Sequence, residues 1–327
     1  IWDATSRKYN LEQGYSKELY KTKFGNTIFV KGFDAYTEEK SALISNHPAV
    51  INVTQYESAS SGLESTANWI SVPMTMHPIS TCYYTLGSNS SRCNNRAPKL
   101  FADKHQSGYL DVKGNSPASA IVTGVIALML EANPKLTWRD IKYILAYTAK
   151  TNDLEQIKKN KAGYKFDDKY NSGFGAIDAE AAVKMASSYK KDLGDLKIIE
   201  TSYIESIEIE GDTGLENSYH RVNFNVEQNI NIEAITLTYK VDYNQVPSSF
   251  ENLLISVMNS YDVKLITIPS YPNQQELKIT FNHFYGETSK ADWKFYFQHR
   301  NENEAVNSIQ MKMTIYGTEI DISKTTE

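Results

Sequence analysis

Cysteine is nearly absent from this chain: its 327 residues hold two, Cys82 and Cys93. That excludes a disulfide-rich scaffold, although the short separation allows one loop-closing bridge in an oxidising compartment; two free thiols are the alternative. No histidine or second cysteine pair stands beside them at ligand spacing, so no metal site is implied. An excess of positive charge is also missing. Lys and Arg total 34 against 39 Asp and Glu, a net charge of -5, and no basic stripe is clustered, which excludes the nucleic-acid-binding classes. No apolar run approaches the roughly 18 residues of a membrane span. The start, Ile1-Trp2-Asp3-Ala4-Thr5, lacks the methionine, basic opening and apolar core of a signal peptide. It begins abruptly, as a fragment or a processed product would.

What is present is globular: 41% hydrophobic and 22% charged residues over a length that favours two domains. The first ~190 residues alternate helix and strand signals. A helix is predicted over Leu11 to Tyr20, then strands at Thr27–Val30, Ala49–Val53 and Trp69–Pro73. A long helix follows Ser116, another starts from the N-cap candidate Thr137, and an alanine-rich one runs from Asp178 to Tyr189. This alternation predicts an α/β unit, a parallel sheet with flanking helices. After about Lys191 the period becomes two, as in His220–Val226, Ile235–Tyr239, Leu253–Val257, Leu277–Phe281, Trp293–Phe297 and Met311–Tyr316. Short alternating strands divided by turn residues predict an all-β sandwich. The expected division is 1–191 and 192–327.

The segment richest in chemistry is Gly114-Asn115-Ser116-Pro117-Ala118-Ser119-Ala120-Ile121-Val122-Thr123-Gly124, which runs into Val125-Ile126-Ala127-Leu128-Met129-Leu130. Gly114 gives the backbone room to turn, and Pro117 fits a first helical turn, where its missing N–H costs nothing. A serine placed there meets the positive end of the helix dipole, which favours an oxyanion forming near its Oγ. The same residues also suit an ordinary buried helix with a serine N-cap. The segment resembles the serine motif of the subtilisin-type proteases, G-T-S-x-x-x-P followed by small residues. The continuation Leu130-Glu131-Ala132-Asn133 and Leu136-Thr137-Trp138-Arg139-Asp140 resembles the kexin/furin branch, and Gly173-Phe174-Gly175-Ala176-Ile177-Asp178-Ala179 its G-x-G-x-x-D-A turn. The resemblance places Ser116 at the nucleophile position.

The second half is similar to the P (homo B) domain, a jelly-roll β-sandwich that follows the catalytic domain in that branch. The likeness rests on Tyr219-His220-Arg221-Val222, Asn252-Leu253-Leu254-Ile255, His283-Phe284-Tyr285-Gly286-Glu287 with Trp293, and Thr314-Ile315-Tyr316-Gly317-Thr318. Order and spacing hold. Together the two resemblances span nearly the whole chain and imply a secreted or secretory-pathway serine endopeptidase that cleaves protein precursors after basic residues.

A serine protease needs a base beside the hydroxyl, an acid behind the base, and donors for the oxyanion. The family's D-[ST]-G and H-G-T motifs do not occur ahead of Ser116, where the histidines are His47, His77 and His105. Asp212-Thr213-Gly214 imitates the acid motif from the wrong side of the serine and is expected to be a turn. Phe24–Val30 resembles the strand that precedes the family's oxyanion asparagine, so the acid and base are expected upstream of Ile1. The missing N-terminal catalytic half, or a separate chain carrying it, is then an implied partner. The asparagine position falls on Asp34 or Ala35. An ionised carboxylate there would repel the charge to be stabilised, and losing one such donor costs about 10²–10³ in turnover. Asn115 replaces the family threonine and Ala120 the family proline. Calcium is implied by the family, whose loop after the asparagine carries acids that shape the site, but its ligands are not matched; in the corresponding loop here, Thr37–Ile44, Glu38 and Glu39 either replace those acids or form a solvated charge pair. These departures support an alternative, an inactive pseudoprotease that binds peptides or a partner. Of two glycosylation sequons, Asn52-Val53-Thr54 falls in an expected buried strand and Asn89-Ser90-Ser91 in a polar loop.

Overall fold

The computed structural model describes residues 2–3, 8–9, 29–32, 48–55, 68–73, 77–80, 109–112, 115–150, 159–167, 172–190, 193–206, 208–209, 219–243, 253–259, 263–268, 277–299 and 306–320. Strand β1 (Trp2–Asp3) pairs with β2 (Lys8–Tyr9). Then β3 (Phe29–Gly32), β4 (Val50–Gln55) and β5 (Asn68–Val72) form a parallel sheet in sequence order. All six residues of the central strand β4 are buried, as a parallel strand covered on both faces requires. Strands β6 (His77–Ser80) and β7 (Tyr109–Val112) form a separate antiparallel pair.

Helix α1 (Asn115–Ala132) packs on β3 and β4. Ala118, Val122, Val125, Ile126 and Met129 make its buried stripe, spaced as one helical face demands. The opposite face of this expected buried helix is not enclosed: Ala120, Gly124 and Ala127 are exposed, and Leu128 is 50% exposed. Helix α2 (Trp138–Thr148) starts at the cap foreseen. The Thr137 side chain accepts from the Asp140 N–H while the Asp140 carboxylate accepts from the Thr137 N–H at 2.8 Å, a capping box. Helix α3 (Ala179–Ser188) is capped by Asp178, whose side chain accepts from the Ala181 N–H at 3.0 Å. The Asn133 amide closes this layer by donating to the Ala186 carbonyl at 3.0 Å.

Residues 173–177 extend the parallel sheet without being a strand of it. The Phe174 N–H donates to the Trp69 carbonyl, the Ser71 N–H to the Gly175 carbonyl and the Ile177 N–H to the Ser71 carbonyl. Gly173 has φ +60°, and a Cβ there would sit 2.7 Å from the Trp69 backbone, so only glycine suits this approach.

The remaining strands are antiparallel. One sheet orders β10 (Glu208–Ile209), β11 (Tyr219–Val226), β16 (Ala291–His299), β13 (Leu253–Met258) and β14 (Val263–Ile268). The other orders β15 (Leu277–Phe281), β12 (Ile230–Tyr243), β17 (Val306–Glu319) and β8 (Lys197–Glu200), with β9 (Ile204–Ser206) also paired to β17. Alternation is clean on β11, where Val222, Phe224 and Val226 are buried and Arg221, Asn223 and Asn225 exposed. Those three, with Trp293, Phe295 and Phe297, share one core with Ile235, Leu237, Tyr239, Met311, Met313 and Ile315 of the second sheet. A second core unites β4, β5 and the three helices, and it includes Tyr285 from the far half of the sequence.

Candidate functional site

Asn115 opens α1 and Ser116 follows it, so the backbone of the expected nucleophile stands in the first helical turn. The first four N–H groups of a helix have no intrahelical acceptor and carry its positive partial charge. Helix α1 contacts β3, and β3 ends at Gly32, two residues before Asp34. Asp34 and Ala35 themselves lie outside the described residues, as do Glu38, Glu39, His47, Cys82, Asn89, Cys93, His105, the predicted helix Leu11–Tyr20 and the turn Asp212–Gly214. His77 opens β6, paired with Val112. Asn52 of the first sequon is 1% exposed, so its amide is not presented to solvent.

The quoted sequence runs converge elsewhere, at the seam between the two cores. Arg139 of α2 reaches Glu233 of β12 with two hydrogen bonds, Nε to Oε2 at 2.8 Å and Nη2 to Oε1 at 2.5 Å. Its Nη1 donates to the Gly194 carbonyl. Burial works against the guanidinium's charge, but the hydrogen bonds and charge of Glu233 outweigh it and hold Arg139 above its ordinary value. The His283–Glu287 run enters the other half. The Tyr285 ring packs edge-on against Trp69, Phe174 and Tyr164, with centroids 5.2, 5.4 and 5.0 Å away. Burial raises its phenol well above the usual range.

Polar bonds fix that insertion. The Asn160 amide donates to the His283 and Tyr285 carbonyls, both at 2.9 Å. The Glu287 carboxylate accepts from the Lys161 N–H at 3.0 Å and from the Asn259 amide at 2.8 Å. The Asn282 amide donates to the Asn68 carbonyl. Gly286 has φ +78°, and a Cβ there would meet Ala162 at 2.9 Å, which explains the glycine of the run. Lys142, one turn beyond Arg139 and not singled out by the sequence, is buried beside Trp69 with its ammonium 3.7 Å from the ring centroid. A lysine at LTWRD-x-K, three residues and so about one helical turn from Arg139, was the available signal.

Among the described residues no group of three or more His, Cys, Asp or Glu could hold a metal ion, so the calcium that the resemblance implies finds no ligand set there. Among them also, no helix is long and apolar enough to cross a membrane.

Comparison with known proteins places these features. The chain is 36% identical over 113 residues to a PC3-like endoprotease of Hydra vulgaris, which covers 34% of this chain and 16% of that protein. It is 37% identical over 117 residues to human neuroendocrine convertase 2, covering 34% and 18%. This chain thus spans less than a fifth of the length of those relatives. Among solved structures, the serine protease of Aeromonas sobria matches with a TM-score of 0.58 at 16% identity, over 84% of this chain and 58% of that one. At such identity the likeness establishes the subtilisin-like α/β fold alone. The profile of the Subtilase family matches residues 8–175, just over half the chain, and the chain accordingly belongs to the subtilase family.

Proposed function

We propose that this chain carries the C-terminal part of a kexin-like catalytic domain, residues 1–191, followed by a P-type β-sandwich, residues 192–327. Ser116 is the nucleophile position and a protein or peptide is the substrate. The observation that carries the reading is the placement of the serine motif: Ser116 lies in the first turn of α1, and α1 rests on the strand that leads to position 34. In the proposed reaction Ser116 Oγ attacks the scissile carbonyl carbon. A histidine supplied from outside the described residues takes the hydroxyl proton and later returns it to the leaving amine. Free N–H groups at the helix start contribute to holding the oxyanion. The secretory pathway and precursor processing are part of the same proposal, supported by likeness to the convertases. Calcium belongs to the same proposal by family likeness alone, with no ligand matched in this chain.

The sequence at 31–36, Lys-Gly-Phe-Asp-Ala-Tyr, favours a second reading, a pseudoprotease that holds a peptide without cutting it. A fluorophosphonate probe applied to the full-length protein separates the two. Stoichiometric labelling that Ser116→Ala abolishes supports the protease. A folded protein that resists labelling while still binding peptide supports the pseudoprotease.

A further inference from the structure

Lys142 occupies the point where both cores meet. The residue is 6% exposed. Its ammonium donates to the Pro48 carbonyl at 2.7 Å, the single hydrogen-bond acceptor that the described residues offer it. An ammonium carries three donors, so two are left without protein acceptors there. The face of Trp69 lies 3.7 Å away, and the Trp69 indole N–H in turn donates to the Lys142 carbonyl at 3.0 Å. Tyr285, the anchor from the β half, packs on that same indole.

The titratable groups facing this cleft come from each element around it: Arg139 of α2, Glu233 of β12, Tyr285 of the inserted run and Tyr316 of β17. Glu233 is the one carboxylate among them, and both its oxygens accept from Arg139. Burial raises both tyrosines above the usual phenol value, so they stay neutral. Glu233, already held by Arg139, is therefore the one group on the cleft wall that attracts a charge on Lys142, and it does so without a hydrogen bond to it.

We propose that Lys142 is a proton-operated latch of the seam: neutral, it lets the Tyr285 run close against Trp69, and protonated, it loosens that closure. Burial pushes the ammonium down to about 7 from 10.5, against the pull of Glu233. The indole face offsets part of the cost of enclosing the charge. When the seam opens, Lys142 meets water and regains its ordinary basicity. The open form then binds the extra proton between about pH 7 and 10.5, so closure strengthens as pH rises through that window. Below about 7 the lysine is charged in both forms and the dependence flattens. The closing constant should rise about tenfold between pH 6 and 8, most of it above 7.

The test uses the whole chain carrying lysine labelled with ¹³C at Cε. One lysine resonance should titrate near pH 7 and vanish in Lys142→Met. Two exchange-protected protons report the seam, the Lys161 N–H bonded to Glu287 and the Trp69 indole N–H bonded to Lys142. After correction for intrinsic exchange, their protection should rise about tenfold from pH 6 to 8 in the native chain. It should be high and flat in Lys142→Met, and low and flat in Lys142→Arg. If every lysine titrates above pH 9.5, or protection in the native chain ignores pH, the latch is refuted. Should the substituted chains not fold, the two native measurements decide alone.

Discussion

Arg139 and Glu233 are each almost enclosed, with side chains 10% and 14% exposed. Removing one partner of such a pair leaves a charge stranded in the seam, whereas removing both leaves only a gap. Glu233→Gln should therefore cost about 3 kcal/mol of unfolding free energy, and Arg139→Met with Glu233→Leu distinctly less than the two single changes summed. Urea titrations of the four chains check this, and additive losses would remove the coupling. Thr137 has a smaller and local role. Thr137→Ala loses the acceptor for the Asp140 N–H and frees the Asp140 carboxylate of its hydroxyl donor, at about 1 kcal/mol. Asp178 caps α3 and is also bonded to Lys150 at 2.9 Å. The Ala181 N–H first, and the Lys150 ammonium second, hold its carboxyl below the ordinary 3.8. Its stabilising contribution is complete above that value and fades as pH falls through the lowered one. Asp178→Asn retains a cap and should flatten that acid limb of the stability curve.

Elements whose own periodicity is strong were legible in the sequence. Strands β4 and β5 carry the β-branched and aromatic residues Val50, Ile51, Val53, Trp69, Ile70 and Val72, β11 and β16 alternate, and α2 begins after a threonine three residues before an aspartate. What escaped was set by distant partners. Strands β8 and β14 sit at sheet edges, and Lys197 or Lys264 breaks the apolar pattern of each in the sequence. The β6–β7 pair joins segments too far apart in sequence for any local signal. Residues 173–177 carry a turn-like glycine pattern, and only β5 beside them turns that turn into an added sheet edge. The serine motif, by contrast, disclosed its helix and its place in the first turn, but nothing in its pattern told that Leu128 would face outward. Two glycines test these contrasts. Gly124 is exposed on α1 with nothing within 4 Å of an added Cβ, so Gly124→Ala should stabilise by about 0.5–1 kcal/mol through helix propensity. Gly173→Ala meets the Trp69 backbone at 2.7 Å from a left-handed φ and should lose well over the roughly 1–2 kcal/mol that the dihedral alone costs. Thermal melts of the two should move in opposite directions.

The two cores are bound by two short sequence runs, Leu136–Asp140 and His283–Glu287. LTWRD supplies a cap and the Arg139 bridge, and HFYGE supplies the inserted tyrosine, its left-handed glycine and the carboxylate that receives Lys161. So the two runs, one from each half of the sequence, hold one half to the other. Tyr285 is the sharpest case. It is 6% exposed and belongs to the core of the α/β half although its backbone belongs to the β half. Truncation empties a site walled by three aromatic rings, and large aromatic-to-alanine changes in cores cost about 3–5 kcal/mol. That loss should fall on the α/β half alone, because the β core is built from Trp293, Phe295 and their neighbours without Tyr285. In calorimetry the native chain should melt in one transition. Tyr285→Ala should melt in two, the first lowered and reporting Trp69, the second near the native temperature and reporting Trp293. Trp293→Phe, inside the β core, should instead lower a single joint transition, because the seam that transmits the damage is intact. A single unshifted melt for Tyr285→Ala would mean that the tyrosine neither couples the halves nor supports the α/β core.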